Sequence, residues 1–163
     1  MISCFLSLGS NIGDKLSNLD KGISCIEASN KNTLVSRSPI YESKAMYNKN
    51  LENFYNCVIK IETELTAAEL LLFLKNIEKK QGRKLDEPRY SARHIDIDIL
   101  SYGQDVIDTP QLKIPHPAIN ERKFVLKPWA DIDSNYIIAS SSKKIFDLLN
   151  ETSDNSELIH IKK

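Results

Sequence analysis

Two aspartates stand one residue apart in the segment His94-Ile95-Asp96-Ile97-Asp98-Ile99-Leu100-Ser101. In an extended chain successive side chains point to opposite faces, so Asp96 and Asp98 share one side and Ile95, Ile97 and Ile99 the other. Two carboxylates roughly 6–7 Å apart repel by about 2–3 kcal/mol at an effective dielectric of about 20. Aspartate is also a poor strand former. A solvated strand face accounts for the alternation. A pair of oxygen ligands for a hard divalent cation accounts for the choice of aspartate as well, and magnesium favours such pairs when phosphate supplies further ligands. Asp-x-Asp by itself leaves both readings open.

Just upstream, Lys79, Lys80, Arg83, Lys84, Arg89 and Arg93 stand against Asp86 and Glu87. Over the 163 residues, 22 lysines and arginines balance 22 aspartates and glutamates. Anion binding must therefore come from local clusters, and no global charge draws the chain to nucleic acid or membrane. Arginine offers phosphate a rigid fork of donors and a cation to offset charge that develops in phosphoryl transfer. An exposed charged loop is the competing reading, but beside a metal-binding strand the cluster points to a nucleotide.

Other chemistry-bearing positions are weaker alone. Gly9-Ser10-Asn11-Ile12-Gly13 lacks the Gly-Lys-Ser/Thr of a P-loop, so Gly9 reads as a turn. Asn11 carries an amide that can face a ligand. Phe54 and Asn56 share a strand face, giving one flat apolar surface and one bidentate hydrogen-bonding group. Phe124 supplies an opposing ring suited to a planar heterocycle, with core packing the competing role for both phenylalanines. His116, between Pro115 and Pro117, lies on a rigid extended stretch where a structural role competes with a catalytic one.

The elements that must position these groups follow from periodicity. Residues 2–8 read as a buried first strand ended by Gly9-Ser10-Asn11. Ile12, Leu16, Leu19, Ile23 and Ile26 have the spacing of an amphipathic helix capped by Asn11 or Asp14. Residues 33–42 form a strand in which Pro39 implies an edge or a bulge, and 43–53 a polar loop long enough to serve function. Residues 54–62 form a third strand. Thr66-Ala67-Ala68-Glu69 is a capping box that opens a helix with Leu70, Leu71, Phe73, Leu74 and Ile77 on its apolar stripe and Gly82 at its stop. Residues 83–93 are a second polar loop and His94 to Ser101 a fourth strand. Beyond it, Pro115, Pro117 and Pro128 punctuate the chain, with a short helix from Ala118 to Leu126 and a last strand at 158–161. Strand, helix, strand, strand, helix, strand is the split β-α-β pattern of an α+β ferredoxin-like sandwich, an antiparallel sheet with helices packed on it. The length suits one domain over residues 1–163.

Cys4, Cys25 and Cys57 include no Cys-x-x-Cys pair, so neither a zinc site nor a disulfide framework is supported. All three read as buried reduced thiols of a cytoplasmic protein. The opening Met1-Ile2-Ser3-Cys4-Phe5-Leu6-Ser7-Leu8 has no basic n-region, and its apolar run is too short for a signal peptide or a membrane span.

Taken together, these residues resemble the 6-hydroxymethyl-7,8-dihydropterin pyrophosphokinase family of folate biosynthesis. The resemblance runs from Ser7-Leu8-Gly9-Ser10-Asn11 to about Pro128. Its specific parts are Glu78-x-x-x-Gly82-Arg83, then Arg93-x-x-Asp96-Ile97-Asp98-Ile99-Leu100, then Ile114-Pro115-His116-Pro117 with Arg122 and Phe124, and Asn56 at the end of Phe54-Tyr55-Asn56. It implies a ferredoxin-like fold and transfer of pyrophosphate from ATP to the pterin alcohol, releasing AMP. Asp96 and Asp98 would hold two magnesium ions. Arg83 and Arg93 correspond to loop arginines that engage the phosphates, and His116, Arg122, Leu71 and Ile99 to ATP-contacting positions. Ser43, Met46, Phe54, Asn56 and Phe124 match the pterin pocket. A monomer acting on ATP and the pterin, without nucleic acid or membrane, is expected. The chain departs from the family pattern at Ser43-Lys44-Ala45 (often Thr-Pro-Pro), at Tyr90 (often tryptophan), at Leu85 (often arginine) and at Ser91-Ala92-Arg93 (often Gly-Pro-Arg).

Two other classes compete. A metal-dependent nucleotidyl transferase on the same sandwich would use both aspartates but gives Asn56 and Phe124 no joint role. An RNA-binding sheet wants exposed aromatics and a basic face on its central strands, where this chain places aspartates.

Overall fold

The computed structural model describes residues 1–84 and 86–162; Leu85 lies outside them. The elements run β1 (Ile2–Ser10), α1 (Lys15–Glu27), β2 (Asn32–Arg37), β3 (Ile40–Ser43), β4 (Phe54–Thr63), α2 (Ala67–Lys80), β5 (Asp96–Tyr102), β6 (Ile107–Asp108), β7 (Lys113–Ile114), α3 (Lys123–Asp133), α4 (Ile145–Glu151) and β8 (Ile159–Ile161). The main sheet has the order β5-β1-β4-β3-β8, with β2 also on β4, and β6 and β7 form a separate hairpin. Every pairing is antiparallel. With β1 between β4 and β5, and α1 and α2 as the crossovers, this is the expected split β-α-β sandwich.

The strand expected over 33–42 is two strands. Pro39 has no N–H for the ladder, and the chain breaks at Ser38-Pro39. Ser38 stitches the break to β4: its N–H donates to the Val58 carbonyl and its Oγ accepts from the Val58 N–H, both at 2.9 Å.

One face of the sheet buries Leu6, Leu8, Cys57, Ile59, Ile97 and Ile99 beneath Leu19, Ile23 and Ile26 of α1 and Leu70, Leu74 and Ile77 of α2. Asp14, not Asn11, caps α1, its carboxylate accepting from the Ser17 N–H at 3.0 Å. Thr66 and Glu69 form the capping box that starts α2. The helix ends in a Schellman motif: the Arg83 N–H donates to the Glu78 carbonyl and the Gly82 N–H to the Lys79 carbonyl, both at 3.1 Å. Gly82 takes φ +106°, which the turn requires and side chains resist.

The opposite face carries Phe5, Val58 and Leu100 and is covered in part by Val125, Leu126 and Trp129 of α3 and Ile145 and Leu148 of α4. Leu100 follows Asp96 and Asp98 to this side by alternation, and a bulge just beyond it, where the partner shifts from Ile99 opposite Leu6 to Ser101 opposite Phe5, returns Tyr102 to the helix-covered face. Periodicity did not reveal α4 or the β6–β7 hairpin, both too short for a pattern. Nor does Pro128 end the helix before it. It sits buried inside α3, where burial of Leu126 and Trp129 outweighs the one helical hydrogen bond it forfeits. β8 adds to the sheet edge through Ile40, Tyr41 and Glu42, and Tyr41 Oη donates to Asp131 Oδ2 of α3 at 2.5 Å.

Cys4 and Cys57 are buried, and burial pushes the Cys4 thiol up to about 12. Cys25 corrects the expectation for the third thiol: it is exposed, because it falls on the outer side of α1 beside the buried Ile26. No helix among the described residues is long and apolar enough to cross a membrane.

The Schellman end of α2 makes Gly82 a stability determinant. A Cβ there would meet the His94 ring at 3.3 Å and hold an unfavourable φ. Gly82→Ala is expected to lower unfolding free energy by about 1–3 kcal/mol, read from urea denaturation midpoints.

Candidate active site

Residues opposite each other in an antiparallel ladder share a face. β1 sets Gly9 opposite Asn56 on one side and opposite Asp96 on the other, and Ser7 opposite Val58 and Asp98. Asn56, Gly9 and Asp96 therefore form one row across three strands, on the part of the sheet that α3 and α4 leave bare. A cavity of about 300 Å³ opens above this row. Gly9 is a strand residue, not the turn expected of it. Its missing side chain keeps the row open, since a Cβ would stand 3.2 Å from Asn56 Oδ1.

One end of the cavity sets apolar side chains around the Asn56 amide. Phe54, Phe124 and Met46 line it. Asn56 is 3% exposed, and its Nδ2 donates to Ser43 Oγ at 2.8 Å, which fixes the plane of the amide. These are the five positions expected at the pterin pocket, and they meet.

The other end is charged. Asp96 Oδ1 lies 3.0 Å from Arg83 Nη1 and 3.6 Å from Arg93 Nη1. Asp98 Oδ2 has Arg122 Nη1 and His116 Nε2 only at 3.9 Å each, beyond hydrogen-bond length. Burial, and then the Asp96 charge, lift the Asp98 carboxyl to about 6. Burial and the Arg122 charge hold His116 down at about 4, so it is neutral at pH 7. His116 Nδ1 accepts from the Ala118 N–H at 3.2 Å, which leaves the proton on Nε2, toward Asp98.

No group of three or more His, Cys, Asp or Glu converges as a metal cage among the described residues. Two aspartates with one poorly neutralised carboxylate suit magnesium, which keeps waters and takes phosphate oxygens alongside one or two carboxylates.

Two of the expected contacts do not reach the cavity. Ile99 is 3% exposed inside the core beneath α2, and Leu71 packs against that same core. The α2 side chain on the cavity wall is Lys75. Asn11 does not face a ligand either. Its Oδ1 accepts from the Arg93 N–H at 2.7 Å, its own N–H donates to the Arg93 carbonyl at 3.1 Å, and its Nδ2 donates to the Glu52 carbonyl at 3.4 Å. It braces both polar loops to the end of β1.

Glu78 is the main residue that the sequence reading left without a role. It is fully buried, accepts from the Ile97 N–H at 2.7 Å, lies 3.1 Å from Lys75 Nζ and pairs with Arg83. Burial holds its carboxyl above the ordinary range despite these cations. The signal was a glutamate on the apolar stripe, four residues past Leu74. Glu78 anchors α2 to β5 and aims Arg83 at Asp96.

The electrostatics can be checked directly. A carbon-13 NMR titration should show Asp98 ionising near pH 6, and Asp96→Asn, by removing the like charge, should lower that midpoint. A midpoint unchanged in the variant would contradict the coupling between the two carboxylates.

Residues 5–134 match the family model described as 7,8-dihydro-6-hydroxymethylpterin-pyrophosphokinase (HPPK). The chain is 42% identical over 137 residues to the 2-amino-4-hydroxy-6-hydroxymethyldihydropteridine pyrophosphokinase of Aquifex aeolicus, covering 84% of each. It is 36% identical over 141 residues to the Haemophilus influenzae protein of the same name, covering 86% of this chain and 88% of that one. To the folic acid synthesis protein FOL1 of Dictyostelium discoideum it is 41% identical over 133 residues, or 82% of this chain but only 20% of that longer protein. In fold it is similar to the Plasmodium falciparum HPPK-DHPS crystal structure with pteroate, with a TM-score of 0.74 at 16% identity over 92% of this chain and 42% of that one. With the acidic pair, the arginines and the Asn56 pocket gathered in one cavity, the chain belongs to the 7,8-dihydro-6-hydroxymethylpterin-pyrophosphokinase family.

Proposed function

We infer that this cavity performs the reaction for which its family is named, the transfer of pyrophosphate from ATP to 6-hydroxymethyl-7,8-dihydropterin, giving the pterin diphosphate and AMP in tetrahydrofolate biosynthesis. The observation that carries it is the polarity of a single cavity: Phe54, Asn56 and Phe124 at one end, and Asp96 and Asp98 ringed by Arg83, Arg93 and Arg122 at the other. A nucleotidyl transferase needs only the charged end, so the apolar end with its fixed amide disfavours that alternative.

The geometry supports a role for each residue. Phe54 and Phe124 receive the faces of the heterocycle, and Asn56, held by Ser43, supplies directional hydrogen bonds to its edge. Met46 closes that end. Asp96 and Asp98 would hold two magnesium ions with ATP, and such ions supply neutralisation of phosphate charge and alignment of attacking and leaving oxygens. The hydroxymethyl oxygen attacks the β-phosphorus in line as its proton passes to water, and the bond from that phosphorus to the AMP oxygen breaks, so AMP leaves. No covalent intermediate is needed, so catalysis rests on alignment and charge. Arg83 and Arg93, now paired to Asp96, turn to the phosphate oxygens, and Glu78 keeps Arg83 within reach. Neutral His116 donates from Nε2, and Arg122 adds a fixed cation. Leu71, half-buried on α2, and Ile99 belong to the ATP side. We read it as a monomeric, cytoplasmic enzyme with residues 1–163 as its pyrophosphokinase domain, acting on ATP and the pterin and needing neither nucleic acid nor membrane.

Incubation with ATP, magnesium and the pterin alcohol should release AMP only when the pterin is present; release of pyrophosphate instead would favour the nucleotidyl transferase. Asp96→Ala and Asp98→Ala should each lower turnover by about a thousandfold or more, with an unchanged circular dichroism spectrum. Arg83→Ala or Arg93→Ala should reduce kcat by about a hundredfold while ATP affinity falls much less. Equal loss of ATP affinity at unchanged kcat would contradict the transition-state role.

A further inference from the structure

Two tyrosines to which the reaction gives no role meet over the mouth of the cavity. Tyr47 lies between β3 and β4, and Tyr90 between α2 and β5. Their rings stack with centroids 4.4 Å apart and planes inclined by 32°. Each ring carries a guanidinium: Arg122 lies 6.0 Å from the Tyr47 centroid, and Arg89 lies 5.0 Å from that of Tyr90. Arg122 also faces the Phe124 ring at 5.8 Å and stands 3.9 Å from Asp98. A continuous run of contacts thus leads from Asp98 through Arg122, Tyr47 and Tyr90 to Arg89.

Burial does not explain this meeting, because Tyr47 is 48% and Tyr90 40% exposed. Tyr90 moreover holds φ 63°, a left-handed conformation that a bulky side chain avoids unless its surroundings impose it. Stacking on Tyr47 and the Arg89 cation supply that imposition. Among the described residues, a further tie between the loops, Asn11 to Arg93 and Glu52, sits at their β-strand ends, whereas Tyr47 and Tyr90 meet between their outer parts.

We propose that Tyr47 and Tyr90 form an aromatic clasp that positions the arginine-bearing segment over Asp96 and Asp98, with Arg122 as the group through which an occupant at Asp98 reaches the clasp. Tyr47 is then a positioning residue for the reaction although it lies on the loop opposite the catalytic arginines. The clasp itself is testable without substrates; its consequence for turnover rests on the pyrophosphokinase reading.

Hydrogen exchange in the protein without substrates tests the clasp by itself. Tyr47→Ala should speed exchange of the amides in residues 86–93 by about 2- to 10-fold, although the substitution lies in the other loop, and Tyr47→Phe should leave it unchanged. In the pterin-dependent AMP assay, Tyr47→Ala and Tyr90→Ala should each lower kcat, and the double variant should be no worse than the poorer single one, as expected when two groups act as a unit. Unchanged exchange at 86–93 in Tyr47→Ala, or losses that multiply in the double variant, would overturn the proposal. Absence of pterin-dependent AMP from the unaltered protein would instead refute the assigned reaction, and the exchange result would still decide the clasp.

Discussion

Antiparallel register around β1 is the constraint on which the site depends. Because facing residues lie on one side of the sheet, the pairing of Gly9 with both Asn56 and Asp96 sets an amide and a carboxylate in one row on neighbouring strands. A one-residue slip on either side of β1 would turn that residue into the core and bring an apolar neighbour to the cavity. The buried face locks the register: Leu6, Leu8, Cys57, Ile59, Ile97 and Ile99 leave water only when Asn56 and Asp96 face the other way. Core packing and site geometry are thus one choice.

Charge follows from that geometry. Asp96 faces two arginines, whereas Asp98, one pleat farther along β5, has its cations at 3.9 Å, and desolvation and the neighbouring like charge raise its carboxyl. The imbalance leaves Asp98 the less neutralised of the two carboxylates. Neutral His116 avoids adding a competing positive charge there while keeping a donor in place.

Helix and strand ends carry the loops. The Schellman turn at Gly82 reverses the chain just beyond Glu78, so Arg83 returns over the carboxylate that fastens α2 to the Ile97 N–H. Asn11, at the end of β1, holds the Arg93 backbone by two hydrogen bonds. Arg83 and Arg93 are therefore mounted on opposite ends of their loop by backbone geometry, with aromatic contact between Tyr47 and Tyr90 over its middle.

Local pattern was enough to read the shared face of Asp96 and Asp98, the basic run from Lys79 to Arg93, the capping box at Thr66 and the stripes of both core helices. Each depends only on residues within a few positions of one another. Phe124, His116 and Arg122 are distant from Asn56 along the chain, and the order and spacing of family motifs, not periodicity, brought them together. Only the tertiary structure showed that Gly9 lies in the strand between Asn56 and Asp96, that Asn11 braces loops and that Glu78 is buried. It alone placed Cys25 on the exposed side of α1. Those outcomes turn on which distant segments pair and at what register, and that is decided when several elements bury their apolar faces together, a condition no single stretch of sequence contains.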